Sequence, residues 1–167
     1  MKKIQPHLEK FVKKAKKYGA FISMDTNWDP DEKWDHGIWK ILPLVDIFMP
    51  NENELLNIAR EKRIADAVSK IQKLVKVVVV KKGPGGADAY AQGKKFSAKA
   101  LDLKVADTVG AGDSFDAGFL YGFLNGWSLE RSLWLAAVCG SLSTRAGGGT
   151  AAQPTLEEAM RYFPLAG

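Results

Sequence analysis

The sequence contains almost no cysteine and no long apolar run. Cys139 is the only cysteine among 167 residues, so no internal disulfide can form and nothing points to an oxidising compartment. No histidine lies near it in sequence, so Cys139 is expected to be a core residue rather than a nucleophile. No window approaches the roughly 20 apolar residues of a membrane-spanning helix, and the charged start from Met1 to His7 lacks the apolar stretch of a signal peptide. These absences favour a cytoplasmic protein without membrane contact.

The composition is that of a globular domain, and its charge is unevenly spread. The chain is 46% hydrophobic and 26% charged, with 24 basic and 19 acidic side chains, which excludes disordered and collagen-like chains and fits one domain. Seven of the lysines lie in the first twenty residues, where Glu9 is the only acid. A lysine-rich helix on a near-neutral body is more often a solvated face than a nucleic-acid-binding surface, so no nucleic-acid partner is expected.

Strand and helix patterns alternate along the chain, which predicts a doubly wound α/β fold with a mainly parallel sheet. The first helix is predicted from Ile4 to Tyr18, with its apolar residues, Phe11 among them, opposite the lysines. The unbroken apolar stretch at 75–80 is typical of a strand buried on both faces. The other predicted strands are 20–24, 45–49, 87–90 and 95–100, and the other helices are 34–42, 51–59, 64–74, 114–124, 129–145 and 156–163. Folds of this class bind ligands at the carboxyl ends of their strands.

The most informative motif is Asp107 to Phe115, D-T-V-G-A-G-D-S-F. Gly110 and Gly112 let the backbone come close to a ligand, and the helix that follows offers free N–H groups with a positive partial charge. Asp113 would then stand beside an anion hole, where a carboxylate can take a proton from a hydroxyl during phosphoryl transfer. A glycine-rich loop with Asp113 as a helix cap, stabilising by ~1 kcal/mol, explains the spacing equally well.

Three familiar nucleotide-binding signatures are absent. Phe115 stands where the third glycine of a dinucleotide-binding G-x-G-x-x-G belongs. The sequence contains no G-x-x-x-x-G-K-[ST], which excludes a P-loop NTPase, and it contains neither H-R-D nor D-F-G, which excludes a protein kinase. Any nucleotide chemistry must therefore use another framework.

Residues 107–119, D-T-V-G-A-G-D-S-F-D-A-G-F, resemble the second signature of the PfkB (ribokinase-like) family of carbohydrate kinases across thirteen positions. The resemblance implies a ribokinase-like Rossmann-type sandwich. It implies that Gly110, Ala111 and Gly112 form the anion hole. It also implies that Asp113 is the catalytic base that deprotonates a sugar hydroxyl for attack on the γ-phosphate of ATP. Under the same resemblance, a monovalent cation such as K⁺ is held by Asp107 and the carbonyl of Val109.

Two further segments resemble the family in the same order. Asn51 and Glu54 form the N-x-x-E of P-N-E-N-E, which in the family lies near Mg²⁺ and the phosphates through water. The same two residues also have the form of a helix capping box. The segment K-K-G-P-G-G, with Lys81, Gly83 and Gly86, resembles the glycine turn near the nucleotide phosphates, although an ordinary hairpin turn would look similar.

The last helix and one early segment extend the resemblance. Residues 135–150 resemble the helix and glycine loop that line the adenine pocket. Val138 stands where many members carry Asn, and Gly147 begins a loop that could form a wall to the base or give carbonyls to the cation. The segment D-T-N-W-D-P at 25–30 resembles the family's D-x-N segment. Trp28 and Asp29 replace the Arg found in relatives that act on sugar acids, which favours a neutral sugar.

The resemblance runs from about Ile4 to Phe163 but corresponds only to the C-terminal part of the family. The family's first glycine-pair signature and its β-sheet lid are not found in this sequence. We therefore expect residues 1–167 to be the nucleotide-binding and catalytic part of a sugar kinase, as a fragment or a truncated product. The alternative is a non-catalytic nucleotide-binding remnant or partner subunit. Expected ligands are ATP or ADP with Mg²⁺ and a sugar, and an exposed sheet edge would favour a homodimer.

Overall fold

The computed structural model describes residues 5–27, 29–35 and 37–163. Two residues discussed above, Ile4 and Trp28, lie outside these ranges. The helices are α1 (Gln5–Lys17), α2 (Ile38–Ile41), α3 (Glu52–Ala59), α4 (Ile64–Ile71), α5 (Ala111–Leu124), α6 (Leu129–Ser143) and α7 (Leu156–Met160). The strands are β1 (Ser23–Met24), β2 (Ile47–Phe48), β3 (Val77–Lys81), β4 (Ala87–Ala91) and β5 (Lys94–Ala98), and short 3₁₀ turns occupy Leu42–Leu44 and Gly83–Gly85. None of the described helices is long and apolar enough to cross a bilayer.

The strands form one sheet in the order β1-β2-β3-β4-β5. Strand β2 pairs in parallel with β1, where Ile47 lies opposite Ser23, and with β3, where Ile47 lies opposite Val77. The segments that join β3 to β4 and β4 to β5 are too short for the crossover that parallel neighbours need, so these strands turn back on one another. Strand β3 consists of four valines followed by Lys81, and Val78, Val79 and Val80 are fully buried. The predicted α/β fold is confirmed.

The chain divides into two compact units, of which the first contains residues 1–80 and 90–94. Its core is formed by fully buried side chains from the strands and from α3 and α4, such as Phe48, Leu55 and Ile71. Helix α1 packs on α2 and the 3₁₀ turn after it, with Val12 buried. Lys16 of α1 is paired with Asp46, 2.7 Å away.

The predicted apolar side of α1 is wrong at two positions. Phe11 and Tyr18 are 68% and 77% exposed, and they lie among lysines instead of opposite to them. The helix is buried along a narrow stripe only, through Val12 with Leu8 packed beside it. Helical spacing therefore identified α1 correctly but gave it an apolar face that was too wide.

The predicted helix over 34–42 begins later than expected. Trp34 has a φ of 54°, a left-handed conformation that cannot continue a right-handed helix. The carboxylate of Asp29 holds this turn because it accepts hydrogen bonds from the N–H groups of Lys33, at 2.9 Å, and Trp34, at 2.8 Å. Helix α2 starts only after Gly37, whose φ is 79°.

The second unit contains the described residues of 81–89 and 95–167, and its centre is the pair of helices α5 and α6. A Cβ on Gly118 would lie 3.0 Å from the Cα of Ala136, and one on Gly122 would lie 2.7 Å from the Oγ of Ser132. The glycines of α5 are therefore explained by close helix packing. Leu135 and Leu142 of α6 are buried with Ala159 of α7 in an apolar cluster.

Candidate functional site

The start of helix α5 lacks a side-chain cap. Its N-cap is Gly110, with a φ of 74° and no capping hydrogen bond. A Cβ at Gly110 would lie 2.5 Å from the carbonyl oxygen of Gly149, so only glycine fits. Within the described ranges, the N–H groups of Gly112 and Asp113 donate no hydrogen bond, whereas the next N–H, of Ser114, donates to the Gly110 carbonyl at 3.0 Å. Two adjacent donors at the positive end of a helix can therefore bind an anion.

Asp113 lies in the first turn of α5 with its side chain exposed. Its carboxylate makes no hydrogen bond or ion pair to any residue that the structure describes, and the helix begins at Gly110 rather than at Asp113. Asp113 therefore does not cap α5, although its spacing in the sequence also allowed that role. The carboxylate is available to a ligand bound at the two N–H groups beside it.

An open cavity of about 450 Å³ includes the start of α5 in its wall. Of the residues predicted from the sequence, it is lined by Lys81, Gly83, Gly86, Ala111 and Gly112. Further lining residues are Pro84, Ala100, Leu101, Asp102, Leu103, Val105, Thr108, Phe115, Ala137, Gly140, Ser141 and Thr144. A mostly apolar cavity of this size with a few polar groups at one end is typical of a small-molecule site.

Lys81 and Asp116 form an ion pair at the wall of this cavity. The Nζ atom of Lys81 lies 3.3 Å from Oδ1 of Asp116, and their side chains are only 13% and 14% exposed. The same Nζ lies 3.6 Å from the position that a Cβ on Gly112 would take. Asp116 was not predicted from the sequence. Its one signal is the spacing of three residues from Asp113, which places both acids on the same side of a helix.

The glycine turn after β3 is fixed by backbone packing and by a buried acid. A Cβ on Gly86 would collide with the backbone of Ala98. Asp88, in β4, is 4% exposed and lies 3.1 Å from the Nζ atoms of both Lys82 and Lys95. Burial alone would raise the pKa of Asp88, but the Ser97 hydroxyl and the two lysines hold it below its usual range. This network keeps the turn in place beside the cavity.

Asp107 joins two loops of the second unit. Its Oδ1 accepts the N–H of Val109 and its Oδ2 accepts the N–H of Gly148, each at 3.0 Å. The hydrogen bond from Val109, followed by that from Gly148, lowers the pKa of Asp107. Gly147 lies beside the same carboxylate, since a Cβ there would be 3.8 Å from Oδ2. The cation predicted at Asp107 and the Val109 carbonyl stays a prediction, and the described residues contain no cluster of three or more acidic, His or Cys ligands.

Asn51 and Glu54 lie in the first unit and close the start of α3. Asn51 accepts the N–H of Glu54 at 2.9 Å, and Glu54 accepts the N–H of Asn51 at 3.0 Å, so the predicted capping box is confirmed. Glu54 is 4% exposed and also accepts the hydroxyl of Thr26 at 3.1 Å. The D-x-N segment therefore contacts the N-x-x-E segment through Thr26. A role for Asn51 and Glu54 with Mg²⁺ stays a prediction.

Val138 is buried in the interior, and Cys139 is partly buried beside the same apolar cluster. Val138 is 1% exposed within the apolar cluster of α6, while its neighbours Ala137 and Gly140 line the cavity. Contact between Val138 and a nucleotide stays a prediction. Burial raises the pKa of the Cys139 thiol to about 11, which agrees with a core residue and not with a nucleophile.

Comparison with known proteins places these features in a family. A family profile described as pfkB family carbohydrate kinase matches residues 4–156. A sugar kinase of Archaeoglobus fulgidus is 35% identical over 110 residues, which is 66% of this chain and 44% of the relative. A ribokinase of Arabidopsis thaliana is 34% identical over 132 residues, or 74% of this chain and 35% of the relative.

Solved structures show the same fold. Arabidopsis thaliana ribokinase, complexed with ribose and ATP, matches with a TM-score of 0.78 and 30% identity over 92% of this chain and 50% of that one. A ribokinase II from E. coli, in complex with ATP and Mg²⁺, matches with a TM-score of 0.86 and 28% identity over 92% of this chain and 52% of the other. The chain thus spans about half of the solved relatives and less than half of the curated ones.

Proposed function

Because the chain belongs to the pfkB family of carbohydrate kinases, we propose that it carries out the ATP-dependent transfer of a phosphoryl group to a sugar hydroxyl. Residues 1–167 would be the C-terminal part of such a kinase, the part that binds the nucleotide and holds the catalytic base. The sugar is proposed to be neutral, since Trp28 and Asp29 stand where relatives that act on sugar acids carry Arg.

The start of α5 is the observation that carries the proposal. The unpaired N–H groups of Gly112 and Asp113 would donate to the oxygens of the phosphate group that is transferred, and their partial positive charge would stabilise the negative charge on it. The Asp113 carboxylate would accept the proton of the sugar hydroxyl, so that the hydroxyl oxygen attacks the phosphorus in line. Gly110 and Ala111 set the backbone path that aims both groups at one point.

The remaining predicted residues are given supporting roles. Lys81, Gly83 and Gly86, which line the cavity, would contact the phosphates. Residues 135–150, with Val138 and Gly147, would surround the adenine. Asp107 and the Val109 carbonyl would hold a monovalent cation such as K⁺ that keeps the two loops together.

Mg²⁺ is proposed to accompany ATP near Asn51 and Glu54. The donor set fits, because Mg²⁺ prefers oxygen ligands and is usually held by one or two carboxylates together with water and phosphate oxygens. Under the family resemblance, the Glu54 carboxylate would reach the ion through a water molecule. When bound, the ion would neutralise charge on the phosphates.

A homodimer is proposed through the free side of strand β1. This strand stands at one end of the sheet order and pairs with β2, and an unpaired edge is a template for a second chain. Sedimentation at increasing protein concentration tests it. Growth of a dimer is expected, and a monomer at high concentration would reject it.

A second candidate is a nucleotide-binding subunit without phosphotransferase activity. The chain spans about half of the length of its solved relatives, so the activity of the whole protein is itself a proposal. A coupled assay for sugar-dependent ADP formation, with a panel of neutral sugars, separates the two candidates. Turnover with at least one sugar supports the kinase, and nucleotide binding without turnover supports the second candidate.

Calorimetric titration with MgATP and MgADP tests the site itself. The best variant is Gly112→Ala, because it adds a methyl group at the residue of one open N–H, where the Cβ would lie 3.6 Å from the Lys81 ammonium and would meet no other residue outside its own helix. We expect binding to wild type and roughly tenfold weaker binding to Gly112→Ala. The matched control is Ser128→Ala, which removes the cap of α6 and should leave nucleotide affinity unchanged. Absence of nucleotide binding to folded wild type would reject both candidates.

A further inference from the structure

We propose that Asp116 is a positioning residue for the phosphate site, which acts by holding the Lys81 ammonium beside Gly112. The inference rests on the proposed nucleotide binding and assigns a role to a residue outside the set predicted from the sequence. It concerns the second unit only, to which Lys81, Gly112 and Asp116 all belong.

The geometry connects three elements of the site. Lys81 is the last residue of β3, and Asp116 lies one turn after Asp113 in α5. Their side chains meet at 3.3 Å with little exposure to solvent. Because the Lys81 Nζ also lies 3.6 Å from the Cβ position of Gly112, Asp116 fixes a positive charge against the first turn of α5, whose N–H groups are open.

The adjacent lysine shows that this arrangement is specific. Lys81 is the last residue of β3, and Lys82 follows it outside the strand. Lys82 is held by Asp88 at 3.1 Å and is not among the residues that line the cavity. Lys81 lines the cavity and is held by Asp116. Each lysine therefore has its own acid, and only one pair faces the proposed ligand.

The energetics favour a functional role for the pair. A largely desolvated ion pair is weak evidence of stability, because the loss of hydration offsets most of the attraction. The Lys81–Asp116 distance of 3.3 Å is longer than the about 2.7–2.9 Å of a strong charge-assisted hydrogen bond. Lys81 also lines the cavity, so its ammonium is a donor for a phosphate bound there.

The effect of removing Asp116 on phosphate affinity should depend on whether Lys81 is present, which a purely structural role would not produce. With Lys81 present, loss of Asp116 releases the ammonium and weakens phosphate binding. With Lys81 removed, Asp116 is only a negative charge near the phosphates, and its loss should leave binding unchanged or improve it. If Asp116 only stabilised the fold, its removal would weaken binding equally in both backgrounds.

The experiment is a double-mutant cycle measured by calorimetry with ADP and with adenosine. The proteins are wild type, Asp116→Ala, Lys81→Met and the double variant. We expect each single variant to bind ADP about tenfold more weakly than wild type. The double variant should bind ADP at least as tightly as Lys81→Met does. Adenosine affinity should change less than about twofold throughout, since adenosine carries no phosphate. Asp116→Asn, which keeps an oxygen acceptor for Lys81, should retain ADP affinity within about threefold.

Glu158→Ala is the matched control, because it removes an acid from another ion pair of the same unit, Arg145–Glu158 at 2.8 Å. Additive losses in the cycle, or equal losses for ADP and adenosine, would overturn the inference while the proposed function stands. No ADP binding by folded wild type would overturn both. If Asp116→Ala does not fold, the same cycle with Asp116→Ser, whose neutral hydroxyl replaces the carboxylate, decides by the same criterion, a loss with Lys81 present and none without it.

Discussion

Helices α3 and α5 begin in opposite ways. At the start of α3, Asn51 and Glu54 satisfy each other's backbone N–H groups, and Glu54 is buried and bonded to Thr26 as well. At the start of α5, the N-cap is a glycine, and the N–H groups of Gly112 and Asp113 have no partner in the part of the chain that the structure describes. Both starts carry an acid at the third helical position, but only one of these acids is used by the fold.

The difference shows how a binding site can be recognised without a ligand. A capping box stabilises a helix by about 1 kcal/mol and leaves its donors occupied. A start without a cap forgoes that stabilisation and keeps two oriented donors for an anion. The uncapped start of α5 therefore marks the proposed phosphate site. The capped start of α3 is firmly part of the structure, whatever Glu54 does through water.

The largest effect is expected from Asp113→Asn. Asparagine keeps the shape of the side chain but cannot accept the proton of the sugar hydroxyl, so kcat should fall about 10²–10⁴-fold while nucleotide affinity is largely kept. Steady-state kinetics with a sugar that the protein phosphorylates gives the answer. Glu130→Gln, which removes a first-turn acid from α6, is the control. Retention of more than about a tenth of kcat would reject Asp113 as the base.

The next effect concerns the only thiol in the unit that contains α5. Burial raises the pKa of Cys139 to about 11, compared with about 8.5 for a free cysteine. At pH 8 the folded protein should therefore react with iodoacetamide at least about a hundredfold more slowly than the protein unfolded in urea. Mass spectrometry of timed samples measures both rates. Fast labelling of the folded protein would show that Cys139 is a reactive thiol, and it would then be a candidate nucleophile in addition to Asp113.

Asn51→Ala is expected to affect stability and not the open helix start. It leaves the Glu54 N–H without its acceptor and should cost about 1 kcal/mol, which lowers Tm by about 2–4 °C in a domain of this size. Scanning calorimetry measures the shift, and Ser128→Ala at the cap of α6 provides the comparison. If Asn51→Ala kept its Tm but lost affinity for the Mg²⁺-nucleotide, the start of α3 would serve the ligand rather than the fold.

The smallest effect is the acid dependence of stability from Asp88. Burial opposes its ionisation, but Ser97, Lys82 and Lys95 lower its pKa below the ordinary 3.8. A carboxyl whose pKa is lower in the folded state stabilises the fold above its unfolded pKa and loses that contribution as pH falls through the folded value. The free energy of unfolding, measured with urea between pH 6 and pH 3, should therefore decline less steeply for Asp88→Asn than for wild type. Parallel curves would exclude Asp88 as a source of the decline.

The sequence predicted what depends on neighbours along the chain. The capping box at Asn51 and Glu54 spans three residues, and the valine-rich strand β3 follows from an unbroken apolar stretch. The glycines of the motif at 107–119 could be identified because they too lie close together in the sequence. The turn held by Asp29 was not predicted although it is local, and the helix predicted over 34–42 begins only after it.

Contacts between distant residues could not be predicted. Lys81 and Asp116 are 35 positions apart, and Asp107 and Gly148 are 41 positions apart. The spacing of Asp116 from Asp113 places both acids on one side of α5, but it does not identify the partner of Asp116, since that partner comes from a strand. The exposure of Phe11 was missed for a related reason: spacing shows where an apolar face can lie but not how much of it a neighbour covers.

The most direct test is the amide NMR spectrum of wild type during titration with ADP, first without and then with Mg²⁺. The account predicts the largest shifts at the N–H groups of Gly112 and Asp113 on addition of ADP alone. The N–H groups of Asn51 and Glu54, already bonded within α3 or its cap, should respond only when Mg²⁺ follows. Binding of ADP that leaves the Gly112 and Asp113 signals unmoved would contradict the central claim that the uncapped start of α5 is the phosphate site.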